Sequence, residues 1–409
     1  MIELPSLDPV TVAILKLSQS LSIVQSKRVS IAKAAGFVLA EDVRSDRDSP
    51  ALDVSAMDGF AIRLEDWDSK PFPVAAVAAA GSAPVKLPEK AAIRIFTGAP
   101  VPIGANTILV RECSIETKSY VDFNIDLKLV RLGQHIRRRG ENAPAQQLVL
   151  KAGTFLSATS VAALSTFGPP TVSVHRKLKI AIINTGDELI SEESVADGKL
   201  IKPWQIRDSN GPYLEQFLRQ QPWIESIERR TVGDSRERLL ECIGESLSRC
   251  DVLLLTGGVS MGDYDFVPEM IRQAKCEVIF HRLPIRPGKP VLGAVGPEGQ
   301  LVCGLPGNPV SVAVTARRIG LPLMRKIAGM QSDDPVSLLL AAPREAIASI
   351  DLIHYRLCNI DSLGNCCWTP MTGSGDIVAL SKSNGFLELP PNQSFSDSNT
   401  ERFRFYSWN

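Results

Sequence analysis

Three turns rich in glycine and proline lie between residues 251 and 310, with the sequences TGGVSMGDYD, RPGKP and LPGNPVS. Gly257, Gly258 and Gly262 lack the side chains that would keep a phosphate group away from the backbone. A helix start and free N–H groups after such a loop attract anions. The acidic and basic side chains of the same stretch are Asp263, Asp265, Arg282, Arg286 and Lys289. Together these residue types can hold a phosphorylated ligand and a divalent ion.

The elements around the first turn predict where it lies. Residues 252–255 form an apolar run of strand length, and residues 266–274 carry apolar side chains at helical spacing. The loop between them therefore lies at the carboxyl end of a strand, which is the edge where open α/β sheets bind ligands. Each turn alone is also typical of an ordinary connection between a helix and a strand. Three such turns in one stretch favour a binding site.

A second strand, residues 178–183, ends at the sequence NTGDEL. Asp187 and Glu188 at this end could orient a hydrated magnesium ion. They fit a helix N-terminus with acids in its first turn equally well, and the pattern leaves both interpretations open. Residues 208–210 and 233–235 are typical of helix caps. Strands and helices joined by short links predict a three-layer α/β/α domain with a mostly parallel sheet.

The two ends of the chain have a different pattern. Residues 9–26 carry apolar side chains at helical spacing behind Asp8, a good N-cap, and Pro9. The apolar face of this helix fits either the protein core or a partner surface. Residues 71–88 are rich in Ala, Val and Pro interrupted by turn residues, which predicts a β-rich subdomain. Short β-like runs after residue 328 predict a small β domain.

Composition excludes several classes of protein. The 409 residues are 44% hydrophobic, which is enough for two to four domains with real cores. Lys plus Arg and Asp plus Glu both number 45, so no global charge attracts nucleic acid or an anionic membrane. The eight cysteines contain no CxxC pair, and we expect them to be reduced. With no signal peptide and no apolar run of ~20 residues, the chain is expected to be cytoplasmic.

The three turns, in this order, resemble the nucleotide- and pterin-binding domain of the molybdenumtransferases, which insert molybdenum into molybdopterin. The E domain of gephyrin is a relative of these enzymes. Four upstream segments are similar to the same family: SPALDVSAMDGFAI (49–62), FTGAPVPIGANTILVRE (96–112), GQHIRRRGEN (133–142) and NTGDEL (184–189). The tail from residue 369 to 409 matches only loosely.

The resemblance implies a multidomain α/β and β protein with four domains. These are an elongated N-terminal domain (1–48 with 143–173), an inserted β-rich subdomain (49–142), the α/β domain that binds molybdopterin and nucleotide (174–327) and a C-terminal β domain (328–409). It also implies a homodimer with shared active sites. Contact with a molybdopterin adenylyltransferase or a molybdoenzyme chaperone would fit this pathway.

Most functional roles follow from the resemblance alone. Asp58 before Gly59 is typical of a turn, and three consecutive arginines are usually solvated, but the family match assigns Asp58 and Arg137 to the site. The implied catalytic residues are Asp58, Thr97, Glu188, Asp234 and Asp265, the last three also binding Mg²⁺. The implied substrate-binding residues are Gly257, Gly258, Ser260, Gly262, Arg282, Arg286, Gly288, Lys289, Pro306, Gly307, Asn308, Pro309, Arg137 and Ser374, with Arg356 and Gly373 as further candidates.

The implied reaction hydrolyses the phosphoanhydride of adenylylated molybdopterin with magnesium, releases AMP and ligates molybdate through the dithiolene. Arg282 and Arg286 stand where lysine is frequent in the family, and since an arginine fork is not equivalent to an ammonium, the preference between molybdate and tungstate could differ. Two alternatives stay open. One is a molybdopterin adenylyltransferase. The other, motivated by Asn142 in place of a frequent aspartate and by the divergent tail, is a catalytically weakened pterin-binding scaffold.

Overall fold

The computed structural model describes residues 8–190, 195–196, 200–260, 265–331, 338–343, 350–392 and 401–408. The chain forms two compact units. The large unit consists of Met1–Glu41, Ala152–Ser157 and Ser173–Asn409, and the inserted unit consists of Asp42–Lys151 and Ala158–Val172. The expectation of a multidomain protein that mixes α/β and β structure is confirmed. The four domain boundaries stay a prediction.

The first helix begins where the sequence predicts. Asp8 Oδ1 accepts hydrogen bonds from the backbone N–H groups of Val10 and Thr11 at 2.9 Å each, and the helix ends at Gln19, earlier than expected. The α-helices are α1 Pro9–Gln19, α2 Ala158–Phe167, α3 Asn210–Arg219, α4 Arg236–Leu247, α5 Val267–Gln273, α6 Pro309–Thr315, α7 Leu321–Ile327 and α8 Ile377–Ser381. A π-helical turn, Ala316–Gly320, joins α6 to α7.

Most strands of the chain are short. They are β1 Ser26–Ser30, β2 Val38–Leu39, β3 Val43–Arg44, β4 Val54–Ser55, β5 Gly59–Ile62, β6 Phe72–Ala78, β7 Ala92–Ile95, β8 Thr107–Val110, β9 Ser114–Glu116, β10 Tyr120–Phe123, β11 Ile136–Arg137, β12 Leu148–Leu150, β13 Thr171–His175, β14 Leu178–Thr185, β15 Leu189–Ile190, β16 Ile206–Arg207, β17 Ile224–Val232, β18 Val252–Thr256, β19 Glu277–His281, β20 Ile285–Arg286, β21 Leu292–Val295, β22 Leu301–Leu305, β23 Leu338–Ala341, β24 Ile353–Ile360, β25 Cys366–Trp368, β26 Gly385–Leu389 and β27 Arg402–Ser407.

The large unit is built on a mixed sheet with the strand order β17-β14-β18-β22-β21-β19. β14 pairs in parallel with β17 and β18, and β18 pairs in parallel with β22. β21 pairs antiparallel with both β22 and β19. The link between β21 and β22, residues 296–300, is too short for a parallel crossover, which needs about a dozen residues. The parallel part of the sheet therefore ends at β22.

Alternate residues of these strands enter two hydrophobic clusters. Ile180 and Ile182 of β14 belong to the cluster that contains side chains of α3, α6 and α7. Ala181 and Ile183 belong to the cluster that contains side chains of α4 and α5. Burial on both faces explains why β14 reads as a nearly continuous apolar run.

Helix α1 resolves the alternative that its sequence left open. Val10 and Leu17 are fully buried and belong to the same cluster as the central strands, so the apolar face of α1 is protein core. Arg318, whose side chain is only 3% exposed, connects α1 to the rest of the unit. Its Nε donates to Glu388 at 2.6 Å, and a terminal nitrogen donates to the hydroxyl of Thr11 at 3.1 Å.

The C-terminal sheet has the strand order β20-β24-β26-β27-β23, and β25 pairs with β24. Strand β20 comes from the RPGKP turn, which the sequence places in the α/β domain, and it pairs in parallel with β24 so that Arg286 lies opposite His354. Tyr355, Phe386 and Tyr406 pack in the core with ring centroids 5.4 and 5.1 Å apart. The predicted β character after residue 328 is confirmed, with α8 added.

The inserted unit contains a mixed sheet with the strand order β8-β5-β7-β6-β10-β9. The stretch predicted to be β-rich supplies β6, which pairs in parallel with β7. Gly59 opens β5, and a Cβ atom there would lie 1.9 Å from the carbonyl oxygen of Leu109. This position requires glycine because the neighbouring strand approaches so closely.

All eight cysteines lie in the described part of the chain, and none forms a disulfide, as expected. Within the described ranges, no helix is both long and apolar enough to cross a membrane.

Candidate functional site

The end of β18 is a turn that needs glycine. Gly257 and Gly258 follow Thr256 with φ angles of +84° and +60°, a backbone region that L side chains rarely adopt. A Cβ atom at Gly257 would lie 2.7 Å from the carbonyl oxygen of Thr185, and one at Gly258 would lie 3.1 Å from Val267. The turn can therefore press against the end of β14 only because both residues lack side chains.

A cavity of about 320 Å³, here called the carboxylate cavity, lies at this edge of the sheet. Three predicted catalytic residues line it: Glu188 after β14, Asp234 after β17 and Asp265 before α5. Its other lining residues are Thr185, Gly186, Gly257, Gly258, Val259, Ser260, Pro290, Pro306 and Gly307. The carboxyl ends of parallel strands meet at one edge, which brings residues distant in sequence together.

Two loops of the carboxylate cavity are held to each other by hydrogen bonds. The backbone N–H of Asp187 donates to Asp234 Oδ2 at 3.3 Å, and that of Asp234 donates to Asp187 Oδ1 at 3.1 Å. Glu188 folds over Gly186, where a Cβ atom would lie 2.5 Å from Glu188 Oε2. The side chain of Asp187 thus fixes a loop, whereas Glu188 lines the cavity.

The three carboxylates of the carboxylate cavity could contribute to a metal site. Among the residues that the structure describes, no group of three His, Cys, Asp or Glu side chains is placed to hold a metal ion. Magnesium usually takes one or two carboxylates, several waters and substrate phosphates. The residues present thus fit a site that substrate completes, and the predicted triad of Glu188, Asp234 and Asp265 stays a prediction. Gly262 lies outside the described residues.

A second cavity, of about 620 Å³, is lined by Arg286, Lys289 and Arg356 and is here called the cationic cavity. Pro290 and Pro306 line both cavities, so the two are neighbours. The remaining lining residues are Ile285, Pro287, Gly288, Asn308, Ser311, Leu352, His354, Leu357, Thr369, Met371, Gly373 and Ser374. The predicted residues Arg286, Gly288, Lys289, Pro306, Asn308 and Ser374 are thereby brought together.

Strand alternation positions the side chains of β24. Tyr355 is buried in the core, whereas His354 and Arg356, on the other face of the strand, line the cationic cavity. The Arg356 guanidinium lies 4.8 Å from the ring centroid of Trp368. This stacking favours one orientation of the cation.

A hydrogen bond closes the far wall of the cationic cavity. Asn308 is the N-cap residue of α6, and its side-chain amide donates to Ser374 Oγ at 2.9 Å. The backbone N–H of Val310 donates to the carbonyl oxygen of Ser374 at 3.0 Å. These bonds fix the loop before α8 and explain why Ser374 lies near a helix 64 residues away (Val310 to Ser374).

His354 is the residue of this cavity that the sequence did not indicate. Burial, together with the positive charges of Arg356 and Arg286, lowers the pKa of His354 to about 4. The imidazole is therefore neutral at pH 7. A single histidine in an alternating strand pattern carries no signal of function, because its cationic neighbours come from a distant turn and from its own strand.

The structure describes the backbone of two further predicted residues, whose roles in the site stay predictions. Arg282 has a φ of +69°, its backbone N–H donates to Val291 at 2.9 Å, and it is absent from the described lining of either cavity. Pro309 occupies the first turn of α6, where its missing N–H costs nothing. Gly288 does line the cationic cavity, and a Cβ atom there would lie 2.6 Å from Thr315 Cγ2.

A buried polar network lies at the strand ends of the large unit. Asn184 donates to Asp208 at 2.5 Å and accepts from the hydroxyl of Thr256 at 3.0 Å. Asp208 also accepts from Arg229 at 3.2 Å and from the backbone N–H of Gly211 at 3.0 Å. The sequence identified Asp208 only as a helix cap. The network orders the ends of β14, β17 and β18.

In the inserted unit, Asp58 and Thr97 form one group. Asp58 Oδ1 accepts hydrogen bonds from both the backbone N–H and the hydroxyl of Thr97, at 2.7 Å each. These bonds, with the charges of Arg111 and Arg94, hold the pKa of Asp58 below its usual value. The two residues, each predicted for the site, are therefore in direct contact.

The arginine run of the inserted unit is paired with acids. Arg137 contacts Glu141 at 3.2 Å and also donates to Asn142, while Arg138 contacts Asp53 at 2.7 Å. Arg139 pairs with Asp48. The run is thus ordered by local ion pairs, and Asn142 supplies an oxygen to Arg137 as a carboxylate would.

Two family descriptions match the chain. One is the MoeA N-terminal region (domain I and II) over residues 9–168. The other, a probable molybdopterin binding domain, covers residues 181–326.

Relatives match over most of the chain. A molybdopterin molybdenumtransferase of Staphylococcus aureus is 33% identical over 394 residues, 93% of this chain and 91% of the relative. One of Staphylococcus epidermidis is 30% identical over 377 residues, 90% of this chain and 88% of the relative. The crystal structure of a molybdopterin biosynthesis MoeA protein from Pyrococcus horikoshii matches with a TM-score of 0.79 at 26% identity, covering 98% of this chain and all of that one.

Proposed function

The chain belongs to the molybdopterin molybdenumtransferase family, and we propose that it inserts molybdenum from molybdate into adenylylated molybdopterin with release of AMP. The observation that carries this proposal is the pair of neighbouring cavities. One is lined by glycines and carboxylates, the other by cations, and Pro290 and Pro306 line both. This arrangement suits a ligand with a phosphoanhydride at one end and a molybdate acceptor at the other.

The proposed reaction breaks a phosphoanhydride bond. A water oxygen forms a bond to one phosphorus as the bond from that phosphorus to the bridging oxygen breaks, the proton released by the water passes to solvent, and AMP leaves. Such a step needs in-line positioning and charge neutralisation more than a protein nucleophile. In this proposal Glu188, Asp234 and Asp265 orient the attacking water, and the turn at Gly257 and Gly258 seats the phosphates against backbone N–H groups.

The cationic cavity is the proposed position of the oxyanion. Arg286, Lys289 and Arg356 offset the charge of molybdate, and Ser374 and Asn308 offer hydrogen bonds to its oxygens. The three cations repel one another, and a dianion bound among them would attract all three. The cations would then hold molybdate beside the pterin.

Magnesium would be held by carboxylates of the first cavity together with substrate phosphates. When bound, it would offset the charge that develops on the phosphate oxygens. The side chains proposed to hold it are Glu188, Asp234 and Asp265.

Neither alternative function is favoured. The relatives that align with about nine tenths of the chain are named molybdopterin molybdenumtransferases, and an adenylyltransferase would not explain that match. Asn142 and the divergent tail suggested the other alternative, a catalytically weakened scaffold. An assay of AMP release distinguishes this scaffold from an active enzyme.

The test is release of AMP. Purified protein is incubated with adenylylated molybdopterin, molybdate and magnesium, and AMP is measured by chromatography. We expect AMP release that depends on molybdate. Tight pterin binding without AMP release would support the scaffold, and accumulation of adenylylated pterin from ATP and molybdopterin would support the adenylyltransferase.

We further propose a cytoplasmic protein with four domains, including an α/β/α domain over residues 174–327, that forms a two-fold dimer. In this proposal Asp58 and Thr97 of one subunit complete the site of the other. Contact with a molybdopterin adenylyltransferase or a molybdoenzyme chaperone would supply substrate or accept product.

Mixed dimers test the shared site. Asp58→Ala and Asp265→Ala homodimers should each be nearly inactive. Co-folding the two variants should yield dimers with one doubly defective site and one intact site, so part of the AMP release should return. Verified mixed dimers that remain inactive would refute a site shared between subunits.

A further inference from the structure

The cationic cavity contains one titratable side chain that is not a permanent cation. Among its described lining residues, Arg286, Lys289, Arg356 and His354 are the groups that carry or could gain a charge. No carboxylate is among them. Among these described residues, the imidazole of His354 therefore has cations and no anion beside it.

The surroundings of His354 are set by its partners on two neighbouring strands and by the next residue on its own strand. Across β20, its partner in the parallel register is Arg286. Across β26, its partner is Leu389, which is buried and cannot titrate. Along its own strand, the next side chain on the same face is Arg356. The charged neighbours of His354, one on β20 and one on its own strand, are therefore both positive.

The ring of His354 is also available for a new hydrogen bond. Its side chain is partly buried, and within the described part of the chain neither ring nitrogen has a hydrogen-bond partner. The loop that faces it contributes Thr369, Met371 and Ser374, none of which titrates near neutral pH. Its ring nitrogens can therefore form a hydrogen bond with a ligand that enters the cationic cavity.

We propose that His354 is a specificity-determining residue of the oxyanion position, which takes up one proton from solvent as molybdate enters and donates that proton in a hydrogen bond to an anion oxygen. The inference rests on the proposed function, since it takes molybdate as the anion. It assigns to His354 a role that a fixed cation cannot fill, because its charge appears only with the ligand.

The sign of the pH dependence follows from the two states. In the free protein, burial and the neighbouring arginines keep the pKa of His354 at about 4. A bound dianion favours the protonated imidazole, so the pKa of His354 rises in the complex. Affinity for molybdate must therefore increase as the pH falls from the bound pKa towards the free pKa, by at most about tenfold per pH unit for one proton.

Calorimetric titration of the full chain with molybdate tests this, between about pH 5.5 and 8. At each pH, two buffers of different ionisation enthalpy report the number of protons taken up. The matched variants are His354→Gln and His354→Asn, which keep a polar side chain of similar shape but cannot titrate. Circular dichroism confirms their fold. Titration of molybdate itself is common to all three proteins and cancels in the comparison.

We expect proton uptake and a rise in affinity at low pH for the wild-type protein, and a loss of both in the folded variants. Equal pH slopes in wild type and variants would overturn the inference, and so would a wild-type protein that does not bind molybdate in this range. Release of AMP is measured separately. Normal AMP release with equal pH slopes would reject the role of His354 and leave the proposed function intact.

Discussion

Replacing Gly257 with alanine tests how strictly the turn after β18 depends on glycine. The residue has a φ of +84°, and the left-handed backbone costs an L residue about 1 to 2 kcal/mol. The new methyl group would also lie 2.7 Å from the carbonyl oxygen of Thr185. Overpacking of this kind typically costs about 1 to 3 kcal/mol. The sum predicts a loss of roughly 2 to 5 kcal/mol.

Thr185 cannot easily retreat from that methyl group. It is 7% exposed at the end of β14, which is paired on one side with β17 and on the other with β18. Moving its carbonyl would disturb both ladders. The strain is therefore expected to spread to the strand ends that carry Glu188 and Asp234.

Gly244→Ala is the matched control. Gly244 lies within α4, and nothing lies within 4 Å of the Cβ atom that alanine would add. Alanine in a helix interior should stabilise by about 0.5 to 1 kcal/mol. Urea unfolding followed by circular dichroism, with amide hydrogen exchange in β14 and β18, compares the two variants. Wild-type stability of Gly257→Ala, with Gly244→Ala behaving as expected, would refute the reasoning.

Three further changes probe other parts of the molecule. Asp265→Asn should keep the fold but lower AMP release by on the order of 10² to 10³, as loss of one electrostatic contact does, and wild-type release would contradict its assignment to the metal site. Thr97→Val should raise the pKa of Asp58 towards its usual value, which carboxyl NMR titration measures. The hydrogen bonds from Thr97 favour the charged carboxylate, so they stabilise the folded wild type at pH values above the ordinary carboxyl pKa. That stability is lost as the pH falls through the lowered pKa of Asp58. An unchanged pKa would show that the hydroxyl does not matter. Arg318→Met should cost about 3 to 5 kcal/mol in urea unfolding, because it leaves Glu388 buried without its partner, and a cost near zero would contradict this.

Sequence patterns predicted the strands β14 and β18 of the central sheet because these are almost fully buried. The apolar runs of β14 and β18 and the caps at Ser235 and Asp8 are local signals, and each appears in the structure close to its predicted position. The family resemblance named Glu188, Asp234 and Asp265, which line one cavity. Each lies beside a strand or helix end, and the parallel topology brings those ends together.

The cationic cavity could be predicted only in part. The RPGKP turn was recognised, but its pairing with β24 depends on a contact between segments about 70 residues apart (286 to 354), for which no local pattern exists. Arg356 was therefore only a candidate, and His354 was missed. For Arg282, the structure describes the backbone, with a positive φ and a hydrogen bond to Val291, and its role in the site stays a prediction.

The contacts of Arg318 affect when the large unit can fold during synthesis. Its guanidinium joins Asp8 and Thr11, near the beginning of the chain, to Glu388, near its end. During synthesis from the N-terminus, helix α1 is complete long before the strand that carries Glu388 leaves the ribosome. Until then the arginine has only part of its opposite charge, and burying it in that state is costly. The large unit should therefore reach its final packing only after β26, which carries Glu388, has been synthesised, and α1 should stay in a looser state until then.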